Sequence, residues 1–330
     1  MKKSIAIQMD NIEKIDYEFD TSFLIGYEAQ ERGYDIFYYN PKDLFIKENT
    51  IQASGYYLEL LLDEKNYFNF KSNKIIAKLE DFQFVFLRQD PPFDMNYITS
   101  TYILDLLPSS TIVVNDPTAV RNSTEKLFTF NFKEFMPPTL VTKDLKIIEE
   151  FLDKEKDIIT KPLYSNGGEG IHRFDKSNFN SKILEEYLHL PIMAQKFINE
   201  IEHGDRRIIF FDGEYFGSVA RIPQEGHLKA NFHAGGKASK TDLVYRDQEI
   251  IIYLGPKLKK HNLFFVGIDI IGNYLTEINV TSPTGLKQIN ALNNVKLEKD
   301  FWDKLEAKYK FKFSYNNIDV IWFNFTSDFR

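Results

Sequence analysis

Three oxygen-bearing side chains interrupt an apolar stretch near the C-terminal end of the chain, FFVGIDIIGNYLTEINVTSPTG: Asp269, Glu277 and Asn279. Strand parity decides whether two carboxylates and an amide can act together here. Alternate residues of a strand point to opposite sides, so Glu277 and Asn279 share one face of the second segment, and Gly267 and Asp269 share one face of the first. A two-residue turn at Gly272-Asn273 would set Ile268 against Glu277 and Asp269 against Thr276, mixing polar with apolar. A three-residue turn sets Asp269 against Glu277, Gly267 against Asn279 and Ile268 against Ile278, which separates the faces, and register follows such patterns. The three donors are therefore expected to converge. Opposed carboxylates repel unless a proton or a cation lies between them. Hard oxygen donors without histidine suit Mg²⁺, which keeps positions open for water and phosphate oxygens. The alternative is the solvent-facing side of an ordinary hairpin.

Other residues bear on that choice. The stretch SNGGEG joins two strand-like segments, so the N–H groups of Gly167 and Gly168 could approach a phosphate; a plain hairpin turn is the competing reading. It matches neither the P-loop nor the dinucleotide fingerprint. Lys161 stands just before this turn and Lys126 opens the same region, although lone lysines are usually solvated. Arg206, Arg207 and Arg221 lie in the β segment upstream of Asp269, where cations could neutralise a transferring phosphoryl group or simply form surface ion pairs. His172, His203, His227 and His233 have no ligand spacing and are read as non-catalytic.

The elements that must position these groups read as follows. SIAIQMD, TSFLIGYEAQERG and YDIFYYN form a strand, a helix stopped at Gly33, and a strand, the order of a parallel α/β unit. FQFVFLRQD and TIVVNDP repeat the strand-then-turn design. Asp10, Arg88, Asp90 and Asn115 then lie at the carboxyl ends of strands, where open α/β sheets place ligands. A short helix carrying Lys126, a strand after Pro137-Pro138, the helix LKIIEEFLDKEK and the strand PIMAQKFI make up a middle region. Beyond residue 200 the chain turns to β structure, with a hairpin at Asp212-Gly213 and an amphipathic helix over 248–262. EGHLKANFHAGGKASKT reads as a mobile loop.

With 330 residues, the chain exceeds what one core usually holds. The boundaries expected are 1–121 for an N-terminal α/β domain, 122–199 for a central part and 200–330 for a C-terminal part. The excess of 48 Asp+Glu over 41 Lys+Arg argues against a general nucleic-acid or membrane-surface binder. Without cysteine, disulfides, thiolate catalysis and Cys-based zinc sites are excluded. The N-terminal apolar run is too short for a signal sequence and no stretch could span a bilayer, so a cytoplasmic protein is expected.

Taken in order, NSTEKLF, IITKPLYSNGGEGI, MAQKFI, GDRRIIFFDGE, ARIPQ, AGGK, FVGIDIIG and TEINVTSPTG resemble the bacterial glutathione synthetase family of ATP-grasp ligases, from near residue 1 to about residue 310. RQDPPFD together with LTEINVTSPTG is specific to that family. The resemblance implies an α/β and α+β architecture: an N-terminal pre-ATP-grasp domain followed by a two-part ATP-grasp fold, with ATP between two sheets. It implies phosphorylation of the C-terminal carboxylate of γ-glutamylcysteine by ATP, then displacement of phosphate by glycine. Lys126, Lys161, Gly167, Gly168 and Asp205 would serve the nucleotide, and Gln195, Lys196, Phe197 and Ile198 its adenine. Asp269, Glu277 and Asn279 would hold Mg²⁺, or Mn²⁺ in its place. Arg207 and Arg221 would face the transferred phosphoryl group. Arg88, Asp90, Asn231, Ser282 and Thr284 would form the peptide site, and a homotetramer is the implied assembly. A mobile cover over residues 222–237, with the turn at 165–170, would exclude water from the acyl phosphate.

The chain departs from the family pattern in places. Tyr164 and Ser165 replace Asp and Gly, KAN replaces RGN, and HAGGK replaces AAGGR. These changes touch loop kinetics and peptide contacts more than reaction type. The aromatic stretch after Lys310 extends past the family's usual end. Competing readings are an ATP-grasp ligase for a related dipeptide and a nucleotide-binding protein without turnover. A dinucleotide oxidoreductase is disfavoured because no Gly-x-Gly-x-x-Gly follows the first strand.

Overall fold

The computed structural model describes residues 3–165, 167–224, 230–232 and 235–314. Its N-terminal part comprises β1 (Ser4–Gln8), α1 (Thr21–Glu31), β2 (Asp35–Tyr39), β3 (Leu44–Lys47), β4 (Thr50–Leu60), β5 (Phe68–Phe70), β6 (Ile75–Lys78), β7 (Phe84–Leu87), α2 (Met95–Asp105), β8 (Ile112–Val114) and α3 (Pro117–Asn122). The sheet runs in the order β3-β4-β2-β1-β7-β8. The strands β2, β1, β7 and β8 are parallel, as the strand–helix–strand pattern predicts. Ile5, Ala6 and Ile7 of β1 are buried whichever face they point to, as expected of a strand covered on both sides. Asp20 caps α1 by accepting from the Phe23 amide at 2.6 Å, and Gly33 ends it at φ +81°.

An antiparallel extension, β3 to β6, was not legible in the sequence. Its long strand β4 buries Ile51, Ala53, Gly55, Leu58 and Leu60, and two of those five positions carry almost no hydrophobic signal.

The central part is β9 (Thr139–Thr142), α4 (Leu145–Glu155), β10 (Asp157–Pro162), β11 (His172–Asp175), α5 (Ser181–Glu185) and β12 (Ile192–Lys196). Its antiparallel sheet has the order β11-β10-β12-β9. One face packs on the helices through Ile148, Leu152, Ile158, Phe174, Leu184 and Ala194. Parity then turns Ile159 and Lys161 to the other face. The residue Lys126, expected on a short helix, instead immediately precedes a 3₁₀ stretch, Leu127–Phe135.

The third part is β13 (Asp205–Phe211), β14 (Glu214–Ile222), β15 (Lys237–Ser239), α6 (Tyr245–Lys260), β16 (Phe265–Ile271), β17 (Tyr274–Asn279), α7 (Leu286–Asn293) and α8 (Leu297–Ser314). Its sheet order is β15-β14-β13-β16-β17. The apolar face, with Ile208, Phe210, Ile268, Ile270 and Ile278, buries against Ile250, Leu254 and Leu258 of α6.

The helix α8 returns to the first sheet. Trp302 is fully buried among Tyr34, Phe84 and Phe86 and donates to Ile25 O at 2.8 Å. Beside it, Arg32 pairs with Asp303 at 2.6 Å and Glu306 at 2.9 Å. Residues 315–330 of the C-terminal extension lie outside the described residues. Trp302→Ala should cost about 3–5 kcal/mol through the cavity it leaves. Urea unfolding would measure this, and a loss below about 1 kcal/mol would mean that α8 is not an essential cover of the first sheet.

Candidate active site

The β16–β17 pairing carries Asp269 against Glu277, Gly267 against Asn279 and Ile268 against Ile278. This is the register expected from parity, reached by another route. The turn has two residues, Gly272 and Asn273, and a bulge at Thr276 supplies the extra residue. Thr276 Oγ1 donates back to Asp269 O at 3.0 Å, satisfying a carbonyl beside the disrupted ladder. Gly272 takes φ +56° in the turn, a conformation that favours glycine.

Across the sheet, β13 sets Arg207 beside Asp269 and Asp205 beside Arg221. Parity places Asp205, Arg207, Arg221 and Asp269 on the face opposite α6. Arg207 grips Asp269 through Nε and Nη2, the latter at 2.9 Å, and Arg221 Nη2 reaches the same carboxylate at 2.9 Å. Arg221 also forms a two-point pair with Asp205, both contacts at 2.6 Å. Asn279 donates to Asp269 Oδ2 at 3.2 Å. Burial alone would raise the Asp269 pKa, but Arg207 and Arg221 overcome it and hold the carboxyl well below the usual range. Arg206 takes the ion-pair alternative of the sequence reading. Neighbouring Arg207 in β13, it points the other way and pairs with Asp247 of α6 at 2.8 Å, so it braces the helix against the sheet.

This charged face and the polar face of the central sheet enclose a cavity of about 530 Å³. Every residue that the family resemblance assigns to the site lines it except Arg88, namely Lys126, Lys161, Gly167, Gly168, Gln195, Lys196, Phe197, Ile198, Asp205, Arg207, Arg221, Asn231, Asp269, Glu277, Asn279, Asp90, Ser282 and Thr284, whereas the strand-end residues Asp10 and Asn115 do not. Arg88 stands behind the wall, donating to Ser22 Oγ and Pro283 O at 3.0 Å each. Within its lining Ile159, Phe197, Ile201, Ala230 and Ile271 form an apolar patch. Ser282 Oγ, also in the lining, bonds Asp90 Oδ1.

Burial pulls the Lys161 ammonium below its ordinary range, against the attraction of Glu277. Lys126 Nζ donates to Ser165 O at 2.8 Å, tying the glycine turn to the start of the 3₁₀ stretch. The unusual Tyr164 stacks on Phe93 of the first domain. Asn166, residues 225–229 and residues 233–234 lie outside the described residues, so the expected cover and glycine turn are described only in part, and His227 and His233 not at all.

Sequence reasoning missed Glu125 and Thr281. Glu125 lines the cavity and accepts from Thr281 Oγ1 at 2.9 Å, and burial pushes its carboxyl up, against neighbouring Lys126. The only available signal was its place beside Lys126 in NSTEKLF.

The donor set fits a hard cation. Among the described residues no three His, Cys, Asp or Glu side chains are grouped to hold a metal. An ion here would draw on Glu277, Asn279 and Asp269, whose carboxylate Arg207, Arg221 and Asn279 hold in this structure, with water or phosphate completing the shell. The described wall carries five cations, Lys126, Lys161, Lys196, Arg207 and Arg221, against five carboxylates, Asp90, Glu125, Asp205, Asp269 and Glu277.

Two facing sheets, lysines from the central one and a carboxylate–arginine face on the other define an ATP-grasp ligase, an ATP-dependent carboxylate–amine ligase. The solved structures agree on the fold. D-cycloserine synthetase DcsG matches with a TM-score of 0.65 at 14% identity, over 92% of this chain and 99% of its own. D-alanyl-alanine synthetase A from Vibrio cholerae matches at 0.59 and 12% identity, over 93% and 98%. The family models for the prokaryotic glutathione synthetase N-terminal domain and ATP-grasp domain match residues 3–121 and 125–294. The chain belongs to the prokaryotic glutathione synthetase family. It is 42% identical to the glutathione synthetase of Mesorhizobium japonicum over 94% of this chain and all of that protein, and 42% identical to that of Agrobacterium fabrum over 93% and 97%. None of the described helices is long and apolar enough to cross a membrane.

Asp269→Asn would leave two buried guanidiniums short of a counter-charge and should cost about 3–5 kcal/mol near neutral pH. Because the folded carboxyl titrates below its ordinary value of 3.8, its contribution is present above that value and lost as pH falls through the depressed one. Urea titrations at about pH 7 and about pH 3 should show the gap between wild type and variant narrowing in acid; a constant gap would contradict the ion-pair account.

Proposed function

We propose that this cavity joins γ-glutamylcysteine to glycine at the expense of ATP, through an acyl phosphate. The observation that carries the reading is the convergence of residues from Asp90 to Thr284 on one cavity whose lining combines an apolar patch with lysines, arginines, carboxylates and hydroxyl groups. A carboxylate is a poor electrophile, and phosphorylation supplies a leaving group. Phosphoryl transfer asks the protein for positioning and charge neutralisation rather than covalent help.

In this reading Gln195, Lys196, Phe197 and Ile198 hold adenine beside the apolar patch. Lys126, Lys161 and the amides of Gly167 and Gly168 hold phosphates, with Asp205 orienting Arg221. Arg207 and Arg221 offset charge on the transferring group, already aligned by Asp205 and Asp269, so little reorganisation is needed during reaction. Asp269, Glu277 and Asn279 would hold Mg²⁺, with Mn²⁺ as its substitute, and a bound divalent cation supplies neutralisation at the phosphate oxygens. Asp90, Asn231, Ser282 and Thr284 receive the peptide. The domain division at 1–121, 122–199 and 200–330 and a homotetrameric assembly complete the reading; light scattering tests the latter.

ADP release should require γ-glutamylcysteine and glycine together with ATP, and related dipeptides or alanine should support it poorly. No release with the first pair would overturn the substrate assignment. Glu277→Gln should reduce Mg²⁺-dependent turnover by at least about 10²-fold, the scale of losing one main electrostatic group, with the melting temperature little changed. Near-normal turnover would remove Glu277 from the metal set.

A further inference from the structure

The loop after β17 is held one residue at a time. Asn115 Nδ2 donates to Val280 O at 2.8 Å, and Thr281 Oγ1 donates to Glu125 at 2.9 Å. Ser282 Oγ bonds Asp90, Arg88 Nη2 donates to Pro283 O at 3.0 Å, and Arg207 Nη1 donates to Thr284 O at 3.2 Å. Arg88, Asp90 and Asn115 follow β7 and β8 of the first sheet, so most of these holds come from the N-terminal domain. Thr281 to Thr284 all line the cavity.

Arg88 is the holder that the sequence had placed against substrate. It is only 5% exposed, and its guanidinium lies over the Phe265 ring at 5.1 Å. Two of its donor directions end on Ser22 Oγ, in the first turn of α1, and on Pro283 O. A planar fork can hold two partners at fixed separation, which the single ammonium of a lysine cannot.

We infer that Arg88 is a positioning residue: it acts on the peptide through Pro283, fixing the Ser282–Thr284 wall to α1, without touching the substrate. This rests on the ligase reading above. Misplacing a substrate-facing group by about 1 Å can cost about 10²-fold in rate, so a buried bracket can govern peptide use from behind the wall.

The test uses the full chain with R88K and S22A, the second keeping the inference testable should the first fail to fold. Steady-state assays vary γ-glutamylcysteine, or 4-aminobutyryl-cysteine, which lacks the non-reacting α-carboxylate. R88K should raise KM for the peptide by about 10-fold or more while KM for ATP changes by less than about 2-fold, and S22A should shift it less in the same direction. The R88K penalty in kcat/KM should be the same for both peptides, because Arg88 does not meet the carboxylate that distinguishes them. A penalty that vanishes with 4-aminobutyryl-cysteine means direct contact and overturns the inference, as do equal shifts for ATP and peptide or unaltered peptide kinetics in both variants. A wild-type chain that releases no ADP with γ-glutamylcysteine and glycine overturns the ligase reading and this inference with it.

Discussion

Asp269 is a carboxylate buried between two arginines, and burying charge is costly unless geometry and hydrogen bonds compensate for lost water. Here both oxygens are engaged, by Arg207, Arg221 and Asn279, and Arg221 is in turn matched by Asp205. That closed set of partners lets one sheet face carry concentrated charge without unfolding. It also fixes where two guanidiniums point before any substrate arrives, which is the kind of alignment that stabilises charge developing during a reaction. The other face of the same strands must be apolar for the arrangement to persist. The helix α6 covers it, and the Arg206–Asp247 pair ties the two layers.

The N-terminal domain takes part in the site through structure more than through exposed groups. Its strand ends send Arg88, Asp90 and Asn115 to the loop at 280–284, and α8 closes back over its sheet with Trp302. A loop without regular hydrogen bonding gains its definition from such side-chain holds. The cavity wall is thus shared between domains that are distant in sequence.

The chemistry-bearing strands were legible because their pattern is local. Parity in FVGIDIIG and LTEINV set apolar against apolar, and the tertiary register agreed even though a bulge at Thr276, rather than a longer turn, produced it. The parallel order of β1, α1 and β2 was readable for the same reason. The antiparallel insertion was not, since Ala53 and Gly55 are buried by neighbours rather than by their own hydrophobicity. Glu125 escaped notice because a single carboxylate in a polar stretch has no periodic signature.

The sequence by itself determined the shared face of Asp269, Glu277 and Asn279 and the lack of any cysteine in the protein, because these depend on residue type and short-range periodicity, while the family and most of the cavity residues were legible through the resemblance of its motifs. Only the tertiary structure decided which neighbour each cation takes. Arg206 and Arg207 are adjacent and chemically equal, yet one braces a helix and the other faces the cavity; Arg88 points to a carbonyl on a loop far along the chain. Such partners are set by the packing of distant elements, and nothing local in the chain encodes them.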